Sequence, residues 1–317
     1  MTNPKISIII PAYNIEDSIA RAIHSCIRQT LREIEIIIID EKGSDKTIQI
    51  AHEYAQKDLR IRILDNQKNL GTFLARLQGA KIAKGEYLCF LDGDDYLEEE
   101  TCRILYEKAE QHCVDIVFFG TKFFPPTLKK APLKIITKSL QNEQILKEVF
   151  LLSSTPPWGI CGKLYKKDLV LKAIKTLDFI DEHLVMAEDL LQNFVFIALG
   201  KSSVGISQKF YIYCESNSSI TRDSKTRDKK INNLKRIIEL FDELETKKEL
   251  TSNPYFYEAK NKIQAILHSI IELEYRYDNT PKLAYLQSCI RSLKYHQKWQ
   301  TYIRILSFIF SFGKIKL

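Results

Sequence analysis

The segment KISIIIPAYN, residues 5–14, is an unbroken β-branched apolar run closed by a proline and a polar turn. A run of this kind, with no polar alternation, reads as a strand buried on both faces. Behind it EDSIARAIHSCIRQT (16–30) places Ile19, Ile23, Cys26 and Ile27 on one helical face. The alternation then repeats. EIEIIIID (33–40) reads as a second buried strand, and SDKTIQIAHEYAQK (44–57) as a helix with Ser44 or Asp45 as its cap. RIRILD (60–65) is a third strand, followed by the helical GTFLARLQGAKIAKG (71–85). EYLCFLD (86–92) is a fourth strand, EEETCRILYEKAEQHC (98–113) a helix and VDIVFFG (114–120) a fifth strand. Strand–helix alternation with doubly apolar strands predicts an α/β fold, a mostly parallel sheet flanked by helices. Ligands of such sheets bind at the carboxyl ends of strands. Residues 11–16, 40–45 and 92–95 all fall there.

The 317 residues are 45% hydrophobic and 27% charged, an ordinary globular composition with ample length for a core. Seven cysteines form no C-x-x-C pair and sit mainly in apolar stretches, which favours reduced thiols over a disulfide framework. The start lacks a signal-peptide pattern, and no apolar run nears the roughly 18 residues of a spanning helix. A cytoplasmic protein is expected. The net charge of +7 is uneven: residues 222–317 carry 19 Lys/Arg against 11 Asp/Glu, while residues 1–221 carry 28 against 29. The chain beyond about 226 reads as amphipathic helices over roughly 226–249, 254–277 and 281–296. The expected organisation is therefore a catalytic domain over 1–221 and a basic helical region over 222–317.

The chemistry concentrates in FLDGDDYL (90–97), where Asp92, Asp94 and Asp95 crowd one strand end. Like charges so close are unfavourable unless water or a cation offsets them. A solvated turn is one reading. The other is a D-x-D site for Mg²⁺ or Mn²⁺, hard cations that take carboxylate oxygens and bridge to phosphate. Gly93 would keep the backbone clear for a ligand. No G-x-G-x-x-G or G-x-x-x-x-G-K-[ST] occurs, so dinucleotide and P-loop readings lose their main support.

Taken in order, ISIIIPAYN, IIIIDEKGSDKT, NLGTFLARLQG and GEYLCFLDGDDYL resemble the successive blocks of the family 2 glycosyltransferases, which have the GT-A fold. WGICGKLYKKDLV (158–170), AEDLLQN (187–193) and YIYCESNSSIT (211–221) continue the resemblance over about two thirds of the chain. The overall look is similar to bacterial transferases of lipooligosaccharide or capsule side chains. The resemblance implies that Pro11, Ala12, Tyr13 and Glu16 line a nucleotide pocket, with Tyr13 stacking on the base. Asp40 would read the base, commonly uracil, and Arg76 would stand beside the nucleotide. Asp92, Gly93 and Asp94 would meet the ribose and a Mn²⁺ or Mg²⁺ ion, with Asp95 a further metal candidate. Asp189 falls where inverting members keep the catalytic base, while Glu188 and Trp158 would border the acceptor. Arg222 could reach the phosphates or face solvent. Two departures stand out: Glu41-Lys42 where the family has Asp and a small residue, and Leu77 where Asn is common. Glu41 keeps the charge. Lys42 would add a phosphate contact or face solvent.

The implied activity is inverting transfer of a hexose, of galactose or glucose type, from a UDP-sugar to a hydroxyl of a growing surface glycan. A rival enzyme, a sugar nucleotidyltransferase, would need a glycine-rich phosphate loop that PAYNIEDS does not offer. A non-catalytic glycan-binding or scaffold relative would require that the carboxylates hold no metal. No recognised nucleic-acid motif accompanies the basic tail, so nucleic acid is not an expected partner. TYIRILSFIFSFGKIKL (301–317), flanked by Lys298 and containing Arg304, Lys314 and Lys316, reads as an amphipathic helix on an anionic membrane surface or as a helix docked on protein.

Overall fold

The computed structural model describes residues 3–126, 134–153, 156–215, 227–275 and 282–313. They belong to two units, one formed by residues 1–149 and 157–217, the other by 150–156 and 218–317. The expected domain border at 221/222 lies outside the described residues, as do Arg222, Lys314 and Lys316.

The first unit is built on a nine-stranded sheet. Its elements run β1 (Ile6–Ala12), α1 (Ile19–Ile27), β2 (Ile34–Asp40), α2 (Thr47–Ala55), β3 (Ile61–Asp65), α3 (Gly71–Ile82) and β4 (Tyr87–Phe90). The chain continues through β5 (Tyr96–Leu97), α4 (Thr101–His112), β6 (Ile116–Phe124), β7 (Leu140–Gln141) and α5 (Glu143–Leu146), which passes into a π-helical turn over Lys147–Leu151. β8 (Lys163–Lys166), α6 (Lys167–Thr176), α7 (Glu188–Leu199) and β9 (Ser202–Cys214) follow. The strands are ordered β3-β2-β1-β4-β8-β6-β9-β5, with β7 on β9.

The isoleucine runs explain the parallel half. β1 and β2 pair in register from Ile6–Ile34 to Ala12–Asp40, and β4 and β3 flank them in the same direction. One face of Ile6, Ile8, Ile10, Ile36 and Ile38 packs with Ile19, Ile23 and Cys26 of α1. On the other face α3 presses against Ile9 and Ile39 at Gly79, where an added Cβ would stand 2.6 and 3.1 Å from their side chains. Each isoleucine so buried contributes about 1.5–3 kcal/mol. The far half of the sheet is mixed rather than parallel, because β8 runs antiparallel to both β4 and β6. β8 falls inside the Pro/Gly-punctuated stretch 154–170, where four residues are too few to show a strand period. Because the chain turns from β3 to β4 on opposite sides of β1, a crevice opens at the carboxyl ends of β1 and β4, the usual ligand position.

α7 is apolar on all sides, with every residue from Leu190 to Leu199 buried. Such a helix belongs to an interior layer. Its two polar side chains there are both used: Gln192 donates to the Phe73 carbonyl, and Asn193 donates to Pro157 O while accepting from the Tyr165 hydroxyl. α7 is thereby held to α3 and to the loop before β8, which fixes its first turn in space.

The second unit contains α8 (Arg227–Glu243), α9 (Lys248–Thr251), α10 (Phe256–Glu274), α11 (Lys282–Tyr295) and α12 (Trp299–Phe310). The expected amphipathic helices are present. Tyr285, Cys289 and Phe308 form a small core with Leu273, Leu286 and Ile305. Among the described residues no helix is long and apolar enough to cross a membrane. All seven cysteines are free, five of them buried.

The close approach at Gly79 gives a test of this packing. Gly79→Val overfills the α3–sheet contact and is expected to lower stability by about 1–3 kcal/mol. In urea titrations the midpoint falls while the slope stays constant; an unchanged midpoint would contradict the packing described.

Candidate active site

Three strand-end loops meet at the crevice, and hydrogen bonds stitch them together. After β1, the Asn14 side chain accepts from Ser44 N–H at 2.7 Å, and Ile15 N–H donates to Thr47 Oγ1 at 2.8 Å. Asp45 accepts from the backbone N–H of Glu16 and of Thr47, and Glu16 in turn accepts from Lys46 N–H at 2.9 Å. Glu16 therefore braces the loop before α2 rather than standing free to line a pocket. Pro11 is half-buried and Ala12 fully buried, so Ala12 offers a ligand no side chain; its carbonyl accepts Glu41 N–H. Tyr13 is 48% exposed at the end of β1, with its ring open to stacking.

Asp40, at the end of β2, is buried, and Lys42 folds back onto it. Lys42 N–H and Nζ each lie 2.8 Å from an Asp40 oxygen, and Nζ also reaches Asp65. The hydrogen bonds to Asp40 and Asp65 hold the Lys42 pKa above its ordinary value. Lys42 was expected to contact phosphate or face solvent; its side chain is exposed and clamps Asp40. Glu41 proves more than a kept charge. Its buried carboxylate accepts the N–H groups of Leu70 and Gly71 at 2.7 and 2.8 Å and the Asn66 amide. Orphan donors of the first helical turn are thus satisfied by an anion, which the helix dipole favours. Glu41 fixes the start of α3, the helix that carries Arg76.

Arg76 is the centre of the site. Its guanidinium, 3% exposed, reaches from α3 to Asp92 at the end of β4 (2.7 Å) and to Asp189 in the first turn of α7. Burial disfavours its charge, but Asp189 and then Asp92 outweigh this and hold its pKa well above the ordinary value. The expectation placed Arg76 beside a nucleotide; the structure gives it two carboxylates, one from each functional block. Burial raises the Asp189 pKa, Arg76 opposes the rise and Asp92 adds to it. Glu188, pressed by burial and by Asp189, is pushed up to about 7.

The three acids of FLDGDDYL have separate environments. Asp92 faces Arg76 and the Cys161 thiol, whose Sγ lies 3.6 Å from Oδ2. Among the described residues the Asp94 carboxylate makes no ion pair; its carbonyl accepts from Arg21. Burial and then Asp92 raise the Asp94 pKa, so this position favours a positive partner. Asp95 is 1% exposed, accepting from the Tyr211 hydroxyl at 2.6 Å and from Cys214 N–H at 2.7 Å. Its pKa is pushed up to about 8 by burial, Asp92 and Asp94. That corrects the reading of Asp95 as a metal ligand, since both its oxygens anchor β9. The Tyr211 hydroxyl also accepts Asp92 N–H at 3.2 Å, so β9 orients the loop. Gly93 needs correction too: a side chain there would collide with Ile15, so its emptiness accommodates packing rather than a ligand.

Among the described residues no group of three or more His, Cys, Asp or Glu could alone hold a metal ion. Asp92 and Asp94 nevertheless fit a Mg²⁺-like cation, which commonly binds through one or two carboxylates and completes its shell with water and substrate phosphate.

A cavity of about 250 Å³ opens beside Asp92 and Asp189 and is walled by Phe118, Trp158, Lys163 and Tyr213 among others. Trp158, expected to border an acceptor, lines this cavity; Asp94, Asp95 and Glu188 do not. Lys163, Cys161 and Tyr211 were not singled out in the sequence. Their signal was position, inside blocks 158–170 and 211–221, but nothing marked their side chains as site-facing.

Residues 7–167 match the family model described as Glycosyl transferase family 2. The uncharacterized glycosyltransferase EpsJ of Bacillus subtilis is 36% identical over 226 residues, which cover 69% of this chain; the chain spans 63% of EpsJ's length. Among solved structures, Staphylococcus aureus TarS 1–349 in complex with UDP-GlcNAc superposes with a TM-score of 0.64 at 18% identity, over 98% of this chain and 88% of that one. The mannosyltransferase PcManGT of Pyrobaculum calidifontis, in complex with GDP-Man and Mn²⁺, gives 0.52 at 13% identity, over 98% and 86%. At such identities the likeness concerns the fold, which is of the GT-A type.

Removing Arg76 leaves Asp92 and Asp189 facing each other uncompensated. Arg76→Met should destabilise the protein toward the low end of about 3–5 kcal/mol, since both carboxylates keep some solvent. The deficit should shrink as the pH is lowered and the acids become neutral, and Asp189→Asn in the same chain should restore part of it. Thermal unfolding of the single and double variants measures this; additive losses would contradict the bridge.

Proposed function

The chain belongs to glycosyl transferase family 2, and we propose that it transfers a hexose from a nucleotide-sugar donor to a hydroxyl of a growing surface glycan, inverting the anomeric centre. One observation carries the reading: Arg76 ties the Asp92 strand end to the Asp189 helix start, at the mouth of a single cavity. A donor-side carboxylate and the proposed base thereby both line one small volume.

In this account Tyr13 stacks on the base, and Asp40, held by Lys42, offers an acceptor to it. UDP is the favoured nucleotide, and the solved relatives carry UDP-GlcNAc or GDP-Man. Asp92 and Asp94 would hold Mn²⁺ or Mg²⁺, which offsets the charge developing on the leaving diphosphate when bound. Asp189 accepts the proton of the acceptor hydroxyl as it attacks, a general-base contribution of about 10²–10⁴-fold. Arg76 keeps that carboxylate ionised against the burial that would otherwise protonate it. Trp158 and Glu188 border the acceptor side. Asp189→Asn should therefore bind donor normally while transfer falls by about 10²–10⁴-fold; near-normal turnover would remove Asp189 as the base.

The pH profile follows from the same charges. Asp189 works deprotonated, so transfer is full above its raised pKa and falls as the pH drops through it. In Arg76→Met the carboxylate loses its cation and its pKa rises further. The acid limb of kcat should then move to higher pH, read from initial rates across a buffer series; a shift to lower pH would contradict the role given to Arg76.

We further propose that the chain works at a membrane surface. α12 exposes Trp299, Tyr302, Ile303, Leu306, Ile309 and Phe310 as one stripe, Phe310 at 78%. Its opposite face meets α11 through Phe308. With Lys298 and Arg304 on the same segment and Lys314 and Lys316 just beyond, the stripe suits an anionic lipid surface. The protein would then sit peripherally on the cytoplasmic face of the membrane, where a lipid-borne acceptor is presented. The full chain should co-sediment with phosphatidylglycerol vesicles, and Leu306→Glu/Phe310→Glu should leave it in the supernatant; equal sedimentation of both would end this reading.

A further inference from the structure

The cavity beside Asp189 contains a charge that the transfer chemistry above does not use. Lys163, the first residue of β8, is 4% exposed and contributes to the cavity wall. Its ammonium donates to the carbonyls of Gly159 and Cys161, and among the described residues it makes no ion pair. Two carbonyl acceptors leave one of its three protons without a protein partner. Lys134, which lines the same cavity, differs: it pairs with Glu148 at 2.9 Å. Trp158 adds a second unused donor, an indole N–H that is buried with no acceptor. Much of the remaining wall is apolar, including Phe118, Ile135 and Ile136.

A buried donor without an acceptor, and a buried cation without an anion, are each unfavourable in the unliganded protein. Burial pushes the Lys163 pKa down to about 8, against the pull of Cys161 and Asp189. An anion placed here would give the Lys163 ammonium its counter-charge. Asp189 acts on Lys163 only through space, with no ion pair between them among the described residues, while one of its oxygens accepts from Arg76.

We propose that this cavity binds an acceptor carrying an oxyanion, a phosphate ester or a sugar carboxylate close to the hydroxyl that is glycosylated, with the Lys163 ammonium and the Trp158 indole N–H as its donors. The inference rests on the glycosyltransferase reading and deepens it by naming the acceptor's chemical class. Anionic repeating units would be selected over neutral ones, because a neutral acceptor leaves Lys163 buried without a counter-ion. The oxyanion is bound and not transformed.

The test uses the full chain saturated with UDP and Mn²⁺, so that any donor-phosphate site is already filled. Calorimetry then compares three probes, the p-nitrophenyl glycosides of glucose, glucuronate and glucose 6-phosphate. At least one anionic probe should bind about tenfold more tightly than the neutral one, as a charge-assisted hydrogen bond implies. Whether phosphate or carboxylate is preferred separates the two sources of the anion. Lys163→Met should abolish the preference, Lys163→Arg should retain most of it, and Trp158→Phe, which keeps a ring but loses the donor, should reduce it. UDP affinity should stay within about twofold in all three, far less than the loss of one charged contact would give.

Equal binding of all probes by the unaltered protein, or no binding at millimolar concentration, overturns the proposal. So does an equal loss for neutral and anionic probes in Lys163→Met, which marks a tether for the 159–161 loop only. Loss of UDP affinity in Lys163→Met would assign the lysine to the donor diphosphate instead. Failure of the unaltered protein to bind UDP at all would count against the glycosyltransferase reading itself, a result distinct from absent anion preference in a UDP-loaded protein.

Discussion

A guanidinium buried between two carboxylates has few ways to be stable, and the geometry around Arg76 follows from that constraint. Removing the cation from water is unfavourable by several kcal/mol unless the Coulombic return is large. Asp92 and Asp189 supply it only if β4, α3 and α7 each stand where they do. Glu41 seats the start of α3, Gly79 lets the helix lie flat on β1 and β2, and Gln192 and Asn193 hold α7 in its layer. Tyr211 fixes the loop that presents Asp92. The parts that prepare the site for charge are thus also the parts that join the sheet to its helices.

The fold was legible where one physical signal dominated. Unbroken isoleucine runs in β1 and β2 allow only a doubly covered parallel strand, and the order of blocks from ISIIIPAYN to AEDLLQN carried the family resemblance. β8 was illegible because KLYK is too short for periodicity and lies among prolines and glycines. The site was legible as a set of residues and much less as a set of partners. Asp92, Arg76 and Asp189 stood in three separate blocks, and no spacing rule connects positions 16 and 113 residues apart. Asp95 illustrates the converse: its neighbours in DGDD implied a shared task, yet alternation at a strand end turns it inward to Tyr211.

Departures from the family pattern acquire physical roles in the structure. Glu41, which appeared a minor substitution, anchors α3. Lys42 pairs with Asp40 and Asp65, so the end of β2 presents a paired donor and acceptor rather than a lone carboxylate. Lys163 supplies the cavity beside Asp189 with positive charge. Together with the exposed stripe of α12, these features favour a chemically anionic, surface-borne acceptor over a free neutral sugar.

On the proposed function, Asp92 and Asp94 of FLDGDDYL, with the Arg76 bridge beside them, handle a nucleotide diphosphate with its cation. Titrating UDP, GDP and CDP into the protein by calorimetry, first with Mn²⁺ and then with EDTA, tests it most directly. The account predicts saturable binding of one nucleotide, UDP, that requires the metal and disappears in Asp94→Ala. No binding of any nucleotide with Mn²⁺ present, or binding indifferent to both EDTA and Asp94, would contradict it and leave Asp92 and Asp95 as anchors of the loop.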